Sequence, residues 1–397
     1  MSSPPLPNTQ SASVPAQAKA GESATLTVLP VTSKEDQRRF LNLPWSLYDN
    51  DPNWVPPLLT EQEKIFAPDN PFFDHASCQR WLALRGKTPV GRISAQIDQL
   101  HLEHHQDQAG FFGMIEAEDR QETYDALFAA AETWLKDQGM RRALGPFNLS
   151  INQECGMLVE GFDTRPSMLM GHALPYMPRR VEQSGYHKEQ DLIAFMIAAD
   201  APPTPIRNLV LKKTAKRIST RTVSKKGFQE ELALVFEIFN DAWAGNWGFV
   251  PFTGREIVQL GKDLKPILNA DFVRIASVDG EPAAFMAILP NINEVIADLN
   301  GRLLPFGWLK LLWRMTVRYP KSARMLLMGV RKEYQDSLLG AGLAYRLICD
   351  TQEAVLKRGI RKVELSWVLE SNIGVRDIIR EFGGVEYKRY RIFGKDL

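Results

Sequence analysis

The stretch Leu326–Gly342, LLMGVRKEYQDSLLGAG, predicts a hydrophobic strand, a basic turn and a glycine-containing helix start in direct succession. Backbone N–H groups in the turn and at the helix N-terminus, together with the helix dipole, suit a pyrophosphate. Gly340 and Gly342 allow a ligand to approach the backbone, and Arg331 and Lys332 add positive charge. Alternatively, the small residues only pack the helix against a sheet, and their spacing does not separate these two interpretations.

A second stretch, Lys362–Gly384, reads KVELSWVLESNIGVRDIIREFGG. Its first residues predict a strand, Asn372 follows at the strand exit, and the amphipathic run Ile373–Phe382 predicts a helix that ends at the glycines. A closing strand is predicted at Val385–Phe393. The two stretches together therefore predict alternating strands and helices through the end of the sequence.

The rest of the chain repeats this organisation. Residues 24–200 predict the order strand, helices, strand hairpin, strand, helix, strand, helix, strand, and residues 206–397 predict a similar order. Between them, Ala201–Pro205 holds three prolines in five residues, which predicts a linker. We therefore predict an α/β fold with a mixed sheet in two similar halves. Residues 1–23, rich in Ser, Pro and Ala, predict a disordered tail.

The composition argues against several classes of protein. Lys and Arg number 48 against 47 Asp and Glu among 397 residues, so no global field favours nucleic acid. The cysteines Cys78, Cys155 and Cys349 are far apart and lack the close pairing of zinc sites and redox dithiols. No apolar run reaches the roughly 18–20 residues that span a bilayer, and the N-terminus lacks the pattern of a secretory signal. These features predict a cytoplasmic protein with no metal.

The two stretches resemble the GNAT superfamily of acyl-CoA-dependent N-acyltransferases. In that family a Gln/Arg-x-x-Gly-x-Gly/Ala turn opens the helix after the fourth strand, and Ser337-Leu-Leu-Gly340-Ala-Gly342 is similar to it. The family's fifth strand exits through an Asn into a helix with a Gly-Phe-like end, matched by Asn372 and Gly383-Gly384. The resemblance implies that acyl-CoA is bound by Gly329, Val330, Arg331, Lys332, Ser337, Gly340, Ala341, Gly342 and Asn372.

The chain also departs from the family pattern. Ser337 stands where the family has Gln or Arg, and Ile379 stands where it often has a Tyr that protonates the leaving thiolate. In the first half the corresponding helix is preceded by the acidic cluster Glu116–Asp119, which would repel a pyrophosphate. The resemblance therefore implies acyl-CoA binding in the second half, 206–397, with the first half, 24–200, on the substrate side.

Four phrases resemble a narrower group, the tandem-GNAT bacterial proteins that include acyl-CoA-dependent ceramide synthases. The phrases are DPNWVPPL at 51–58, GPFNLSINQECG at 145–156, NDAWAGNWGFVPFT at 240–253 and NGRLLPFG at 300–307. This resemblance implies transfer of a long-chain acyl group from CoA to an amine such as a sphingoid base. In the implied mechanism the amine attacks the thioester directly between the fourth and fifth strands, and backbone N–H groups of the fourth strand stabilise the oxyanion.

A general base must take a proton from the amine before the attack. We expect one of four carboxylates to serve: Glu154, Glu294, Asp298 and Glu370. Each has a structural alternative as a cap or a surface ion pair. Polar groups in loops often serve function, and the candidates for binding an amino-alcohol are Asn148, Asn152, Asn246 and Trp247.

Two other constellations are weighed and disfavoured. Cys155 with His172 would be a nucleophile and base pair, but a free Cys is usually a small buried hydrophobe. The run HLEHH contains His101, His104 and His105. Adjacent histidines point to different faces of a helix, so we predict a solvated polar turn there and no metal site.

The segment 305–321 predicts a basic amphipathic helix. Its apolar stripe consists of Trp308, Leu311, Leu312, Met315 and Tyr319. Lys310, Arg314 and Arg318 form a second stripe, and no acidic residue occurs between Pro305 and Lys332. Such a helix suits the surface of an anionic membrane. The alternative is a core helix whose basic edge faces solvent or CoA.

Two further functions are compatible with the sequence. A non-catalytic tandem GNAT-like module that binds acyl-CoA or a lipid and reports its level to a partner is favoured by Ile379 in place of Tyr. An aminoacyl-tRNA-dependent transferase on the same fold needs a larger basic surface than a net charge of +1 provides.

Overall fold

The computed structural model describes residues 24–224 and 226–397, so the predicted tail 1–23 lies outside the described residues. The first-half elements are β1 Leu26–Pro30, α1 Lys34–Leu47, α2 Leu59–Ile65, β2 Ala76–Arg85, β3 Thr88–Asp98, α3 Gln99–His105, β4 Ala109–Ala117, α4 Gln121–Asp137, β5 Arg142–Gly145, β6 Phe147–Asn148, β7 Glu154–Cys155, β8 Met157–Glu160, α5 Met177–Gln183 and β9 His187–Ala198.

The second half repeats a similar order of elements. They are α6 Pro205–Thr214, β10 Ile218–Thr222, α7 Phe228–Trp243, α8 Gly254–Leu264, β11 Val273–Val278, β12 Glu281–Pro290, α9 Asn293–Ile296, α10 Gly307–Thr316, β13 Ser322–Val330, α11 Leu338–Lys357, β14 Lys362–Leu369, α12 Ile373–Glu381 and β15 Val385–Asp396. Short 3-10 turns lie at Pro71–Asp74, Ala270–Phe272 and Lys332–Tyr334. The predicted α/β class is confirmed.

Local sequence signals account for several of these elements. Ser33 caps α1 in a capping box with Asp36, and Thr253 does the same for α8 with Glu256. Asp279 and Gly280 both adopt positive φ, 51° and 98°, in the tight turn that joins β11 to β12. That geometry explains the Asp-Gly pair, because a type I′ hairpin turn requires positive φ at both central residues.

The halves share one mixed sheet of 13 strands. Its order is β1-β2-β3-β4-β5-β15-β9-β14-β13-β12-β11-β10, and β8 also pairs with β15. The last strand of each half has therefore crossed to the other half: β15 pairs with β5, and β9 pairs with β14. The predicted halves 24–200 and 206–397 therefore follow one another along the chain but share one continuous sheet. That they are separate domains stays a prediction.

Each half contains one pair of parallel strands that separates part-way along. β4 and β5 pair only from Ala109–Phe111 to Arg142–Leu144. β13 and β14 pair only from Ser322–Met325 to Lys362–Leu365. Beyond these residues β13 continues to Val330 without pairing with β14, while β14 stays paired with β9 on its other side. A gap therefore opens in the sheet of each half, flanked by exposed edges of backbone N–H and C=O groups.

The predicted polar turn at HLEHH is wrong, because these residues form helix α3. His101 is only 4% exposed. Its Nε2 lies 3.1 Å from Asp107 Oδ1, and its ring packs edge-on against Phe111. Helix α6 was also missed: the predicted linker ends where Pro205 begins the helix, a favourable position for proline.

His75 connects the two halves electrostatically. Its Nδ1 lies 2.9 Å from Asp98 Oδ1 at the end of β3, and its Nε2 lies 3.5 Å from Glu256 Oε1 in α8. Burial alone would lower the pKa of His75, but the two carboxylates outweigh it and raise the pKa to about 9. The imidazolium therefore bridges the halves at neutral pH.

This bridge predicts a loss of stability in mild alkali. Because the folded-state pKa of His75 is raised above about 6.5, its contribution is complete below that pH and is lost as pH rises towards 9. We expect the contribution to be about 1–2 kcal/mol after allowing for solvent screening. Urea unfolding across this range should show a steeper decline for the parent protein than for His75→Gln. The exposed His187→Gln provides the control, and an equal decline in all three proteins would contradict the bridge.

Candidate active site

The gap between β13 and β14 holds a narrow cavity of about 70 Å³, called here the strand-gap cavity. Leu326 and Leu327 line it from β13, and Ser366 and Trp367 line it from β14. Aromatic and amide side chains of the α7–α8 region form another wall: Phe239, Trp243, Asn246, Trp247, Phe249 and Phe252. The cavity is therefore mostly apolar, with a few polar groups at defined positions.

A buried polar network forms the floor of the strand-gap cavity. Arg324 is 4% exposed, Ser366 6% and Glu364 0%. Arg324 Nε donates to Ser366 Oγ at 2.8 Å, and the Ser366 hydroxyl donates to Glu364. The other Glu364 oxygen accepts from the Tyr387 hydroxyl. The Glu364 carboxylate is thus connected to the cavity by one hydrogen bond, from the Ser366 hydroxyl.

Arg324 also joins the halves. Its Nη1 donates to the carbonyls of Met168 and Leu169 in the first half, at 3.0 and 3.2 Å. Its Nη2 donates to the Ser366 carbonyl at 3.2 Å. The guanidinium is satisfied by these partners as a buried charge must be, and it fixes the first-half loop over β14.

The backbone of β13 presents an N–H group towards the gap. The N–H of Arg331 donates to the Ala283 carbonyl in β12. Because backbone groups alternate in direction along a strand, the N–H and C=O groups of residues 329 and 331 point towards β12, and those of residues 328 and 330 point away from it. Consistent with this, the carbonyl of Met328 accepts from Trp243 Nε1 at 2.9 Å and not from β12. The N–H of Met328 therefore faces the gap, where it is placed to bind a carbonyl oxygen or an oxyanion.

The equivalent gap in the first half is filled by the chain itself. The short hairpin of β6 and β7 enters between β4 and β5, and Gly113 on β4 is needed because a Cβ there would collide with the Phe147 carbonyl. Asn148 Oδ1 accepts from the N–H of Met114 at 2.9 Å, and Asn148 Nδ2 donates to Glu154 Oε1 at 2.5 Å. The side-chain amide of Asn148 thus lies in the gap between β4 and β5, whereas the corresponding gap between β13 and β14 holds a cavity.

The tip of this hairpin covers the second-half site. Ile151, Asn152 and Gln153 line the strand-gap cavity, and Asn152 Nδ2 donates to the Val250 carbonyl at 3.0 Å. Ile151 also lines a second cavity of about 380 Å³ between the halves, together with Asn246 and Trp247. Histidine and acidic side chains line this histidine-lined cavity: His101, His104, His105, Asp98, Asp107 and Glu189.

The four predicted carboxylates lie in different places. Glu294 accepts from the backbone N–H groups of Lys321 and Ser322, and Asp298 pairs with Arg314, which holds the pKa of Asp298 down at about 2. Lys188 and the Asp191 amide bind Glu370. Glu154 follows Gln153 of the cavity wall, and burial, with the nearby charge of Glu116, raises its pKa.

Eight of the nine predicted coenzyme residues lie between the end of β13 and the start of α11, and the ninth, Asn372, lies apart from them in sequence, after β14. Ser337 caps α11 by accepting from Gly340 N at 3.1 Å, and Asn372 caps α12. Arg331 donates to Glu237 at 2.6 Å, and the N–H of Lys332 donates to Asp241. Ala341 lies in the first turn of α11. These contacts build a compact loop, but acidic partners already offset part of its positive charge.

The glycines of α11 have a packing role. A Cβ on Gly342 would lie 2.6 Å from Thr214 Oγ1 of α6 and 2.9 Å from Ile218, and one on Gly340 would collide with the Tyr334 carbonyl. The packing interpretation is thus sufficient for Gly342 whether or not a ligand binds nearby. Substituting Gly342 would disturb the fold and would not report on a ligand.

The disfavoured alternatives have structural explanations. Burial raises the pKa of the Cys155 thiol to about 12, so it is not a ready nucleophile. His172 Nε2 lies 2.7 Å from Asp51 Oδ2 and takes no part in a pair with that thiol. Within residues 24–224 and 226–397, no three His, Cys, Asp or Glu side chains converge as a metal-binding group.

Comparison with known proteins identifies the family. A solved tandem GNAT protein from the clavulanic acid biosynthesis pathway aligns with a TM-score of 0.54 at 14% identity, covering 94% of this chain and 98% of that chain. Protein YghO of Escherichia coli (strain K12) is 45% identical over 366 residues, 92% of this chain and 94% of that protein. A bacterial ceramide synthase of Caulobacter vibrioides (strain NA1000 / CB15N) is 45% identical over 379 residues, 94% of this chain and 98% of that protein. The chain belongs to the family of these two 45% identical proteins, and its fold is that of tandem GNAT proteins. No family model matches the sequence.

The Glu364–Ser366–Arg324 network of this tandem-GNAT protein was missed from the sequence. A signal was present, because Glu364 interrupts the strand KVELSWV and Arg324 interrupts the strand SARMLLMGV. One acid and one base inside two neighbouring buried strands indicate a buried pair, since charges are almost never fully buried alone.

Proposed function

We propose that this tandem-GNAT protein transfers a long-chain acyl group from acyl-CoA to the amine of a sphingoid-base-like amino-alcohol. The observation that carries the proposal is the difference between the two gaps: the first is closed by Asn148, whereas the second keeps a cavity that Leu326 and Leu327 line from β13. Support for the acceptor comes from the 45% identity to a protein named bacterial ceramide synthase.

The thioester would enter between β13 and β14, with its carbonyl oxygen towards the N–H of Met328. The pyrophosphate would lie at the N-terminus of α11, where the first backbone N–H groups have no intrahelical acceptor. The apolar wall formed by Phe239, Phe249 and Phe252 suits an acyl chain. The amine nitrogen attacks the thioester carbon, the C–N bond forms, and the C–S bond breaks to release the CoA thiolate.

The Ser366 hydroxyl and Glu364 are our candidates for accepting the amine proton. Ser366 lines the strand-gap cavity and is bonded to Glu364, so a proton taken at Ser366 can pass to the carboxylate. Among the four carboxylates predicted from the sequence, Glu154 is the remaining candidate, because its neighbour Gln153 lines the cavity and its pKa is raised. The proton is later returned to the CoA thiolate.

The acceptor would reach the thioester through the histidine-lined cavity. Asp98, Asp107 and Glu189 line that cavity, but Asp98 is paired with His75 and Glu189 with Arg142. Asp107 is therefore the acid that would attract a cationic amine. Ser150 and the histidines offer hydrogen bonds to hydroxyl groups. Asn246 and Trp247, which line both cavities, lie where the amine would pass from one to the other.

Acyl transfer itself is tested with radiolabelled acyl-CoAs and a panel of amines. We expect an N-acyl product with sphingoid bases, and kcat/KM should rise with chain length from acetyl to palmitoyl because each buried methylene contributes about 0.8 kcal/mol. Acyl-CoA binding without any product would favour the non-catalytic module. Equal kinetics for acetyl and palmitoyl donors would remove the long-chain proposal and leave acyl transfer.

The pyrophosphate position is tested at Ser337. Asp and Asn both replace Ser well as helix caps, so Ser337→Asp and Ser337→Asn should both fold. They differ in charge and in the hydrogen bond to the Tyr334 carbonyl, which Asn but not Asp can donate, so thermal unfolding of both variants is the control. We expect Ser337→Asp to weaken acyl-CoA binding at least about fivefold relative to Ser337→Asn, since repulsion between unit charges about 4 Å apart in water is about 1 kcal/mol. Calorimetric titration measures both Kd values. Equal values would place the pyrophosphate elsewhere.

The proton acceptor is tested with carboxamide variants. We expect Glu364→Gln and Ser366→Ala to lower kcat about 10²–10⁴-fold with little change in KM, because general base catalysis typically contributes that factor. Asp298→Asn, whose carboxylate pairs with Arg314 away from the cavity, should keep parental kcat. Circular dichroism and thermal unfolding check the fold of each variant. Loss of kcat in Glu154→Gln but not in Glu364→Gln would transfer the role to Glu154.

A further inference from the structure

The surface around helix α10 exposes an unusual number of large apolar side chains. Seven of them lie within fourteen consecutive residues and are between 45% and 79% exposed: Leu304, Phe306, Trp308, Leu309, Leu312, Trp313 and Val317. No residue of α10 is buried. Proteins that stay free in water rarely expose a contiguous apolar patch of this kind, so the α10 surface is a contact surface.

The helix is anchored in this orientation by its other side. Leu311 and Met315 pack on the core cluster that includes Val295 and Leu299. Arg314 donates to the Val295 carbonyl at 2.6 Å and pairs with Asp298 at 2.5 Å. The apolar stripe predicted from the sequence is therefore divided: Leu311, Met315 and Tyr319 pack against the core, whereas Trp308 and Leu312 are exposed. The alternative of a core helix describes only the inner side of α10.

The charges around the α10 surface are mostly basic, and the acid beside them, Asp298, is paired with Arg314 and lies 3.9 Å from Lys310. Lys310 and Arg318 flank the exposed apolar side chains, and the guanidinium of Arg318 lies 5.8 Å from the ring centre of Trp313. No acidic residue occurs from Pro305 to Lys332. Tryptophans bordered by cationic side chains are typical of the interface of a membrane, where the rings sit among headgroups and the cations reach lipid phosphates.

We propose that the α10 surface docks this protein peripherally on an anionic lipid bilayer. A second copy of the chain fits the same surface less well. A two-fold dimer brings identical patches together, so Lys310 and Arg318 would face their own copies. The acid near Lys310, Asp298, is already paired with Arg314 of its own chain. An anionic bilayer instead complements the apolar face and the cations at once.

The bilayer would lie close to the proposed site of acyl transfer. The core cluster beneath α10 includes Leu326, which also lines the strand-gap cavity. Apolar side chains thus continue from the underside of α10 to the acyl pocket. The connection between α10 and the acyl pocket rests on the proposed function, but membrane docking does not. Vesicle binding is measured without acyl-CoA or an amine, so a failure to bind vesicles is distinguishable from a failure of catalysis.

Co-sedimentation with phosphatidylglycerol-containing vesicles tests the docking. The full-length protein should bind these vesicles and should bind pure phosphatidylcholine much less, and salt should weaken binding. Leu309→Glu with Trp313→Glu should abolish it. The matched control, Leu29→Glu with Val385→Glu, changes two equally exposed apolar side chains elsewhere and should bind like the parent. Replacing Lys310 by Glu should weaken binding at least about fivefold.

A second measurement does not depend on how the charged variants fold. Lipids brominated on their acyl chains should quench the fluorescence of the parent, and Trp308→Phe with Trp313→Phe should lose that quenching while keeping the remaining tryptophan emission. Absence of vesicle binding by the parent, or parental binding by Leu309→Glu with Trp313→Glu, would overturn the proposal. So would a dimer in sedimentation velocity that this double variant dissociates, since the surface would then bind a second copy.

Discussion

The exchange of terminal strands between the halves is the constraint on which the structure depends. β9 is hydrogen-bonded on one side to β14 and on the other to β15, so neither half completes its sheet with its own strands alone. The exchange fixes how the two gaps are placed relative to each other. Because that geometry is set by backbone hydrogen bonds, a first-half hairpin can cover a second-half cavity without a separate interface.

The two gaps show how one backbone arrangement can serve two purposes. Parallel strands that separate leave N–H groups unpaired, and each such group needs a partner when it is buried. In the first half the partner of Met114 is the Asn148 side chain. In the second half the separated edge of β13 adjoins, at Leu326 and Leu327, a cavity that a ligand can occupy. The first half therefore contributes structure, and its filled gap becomes the support from which Asn152 reaches the second half.

Local order was predictable from the sequence, and long-range pairing was not. Ser33, Thr253 and the Asp279–Gly280 turn act within a few residues, so their patterns predicted α1, α8 and the β11–β12 hairpin. Strand exchange depends on which strands pair over long distances in the chain. The sequence of β9 predicts a strand, but it does not indicate which half that strand joins. Asn152, Asn246 and Trp247, which line the strand-gap cavity, were predicted as binding candidates because they lie in loop segments rich in polar groups. Glu364 was not predicted as a site residue because it lies inside a strand. Helix α3 was not predicted because its sequence is short and polar.

The strand exchange also affects how the chain emerges from the ribosome. β5 and β9 are synthesised early, but β15, which joins them, follows only after residues 199–384. At synthesis rates of about 5–20 residues per second, that interval lasts roughly ten to forty seconds. Throughout it, β5 and β9 present unpaired edges that favour pairing with other nascent chains. The strand exchange therefore leaves those edges open to mispairing until translation reaches β15.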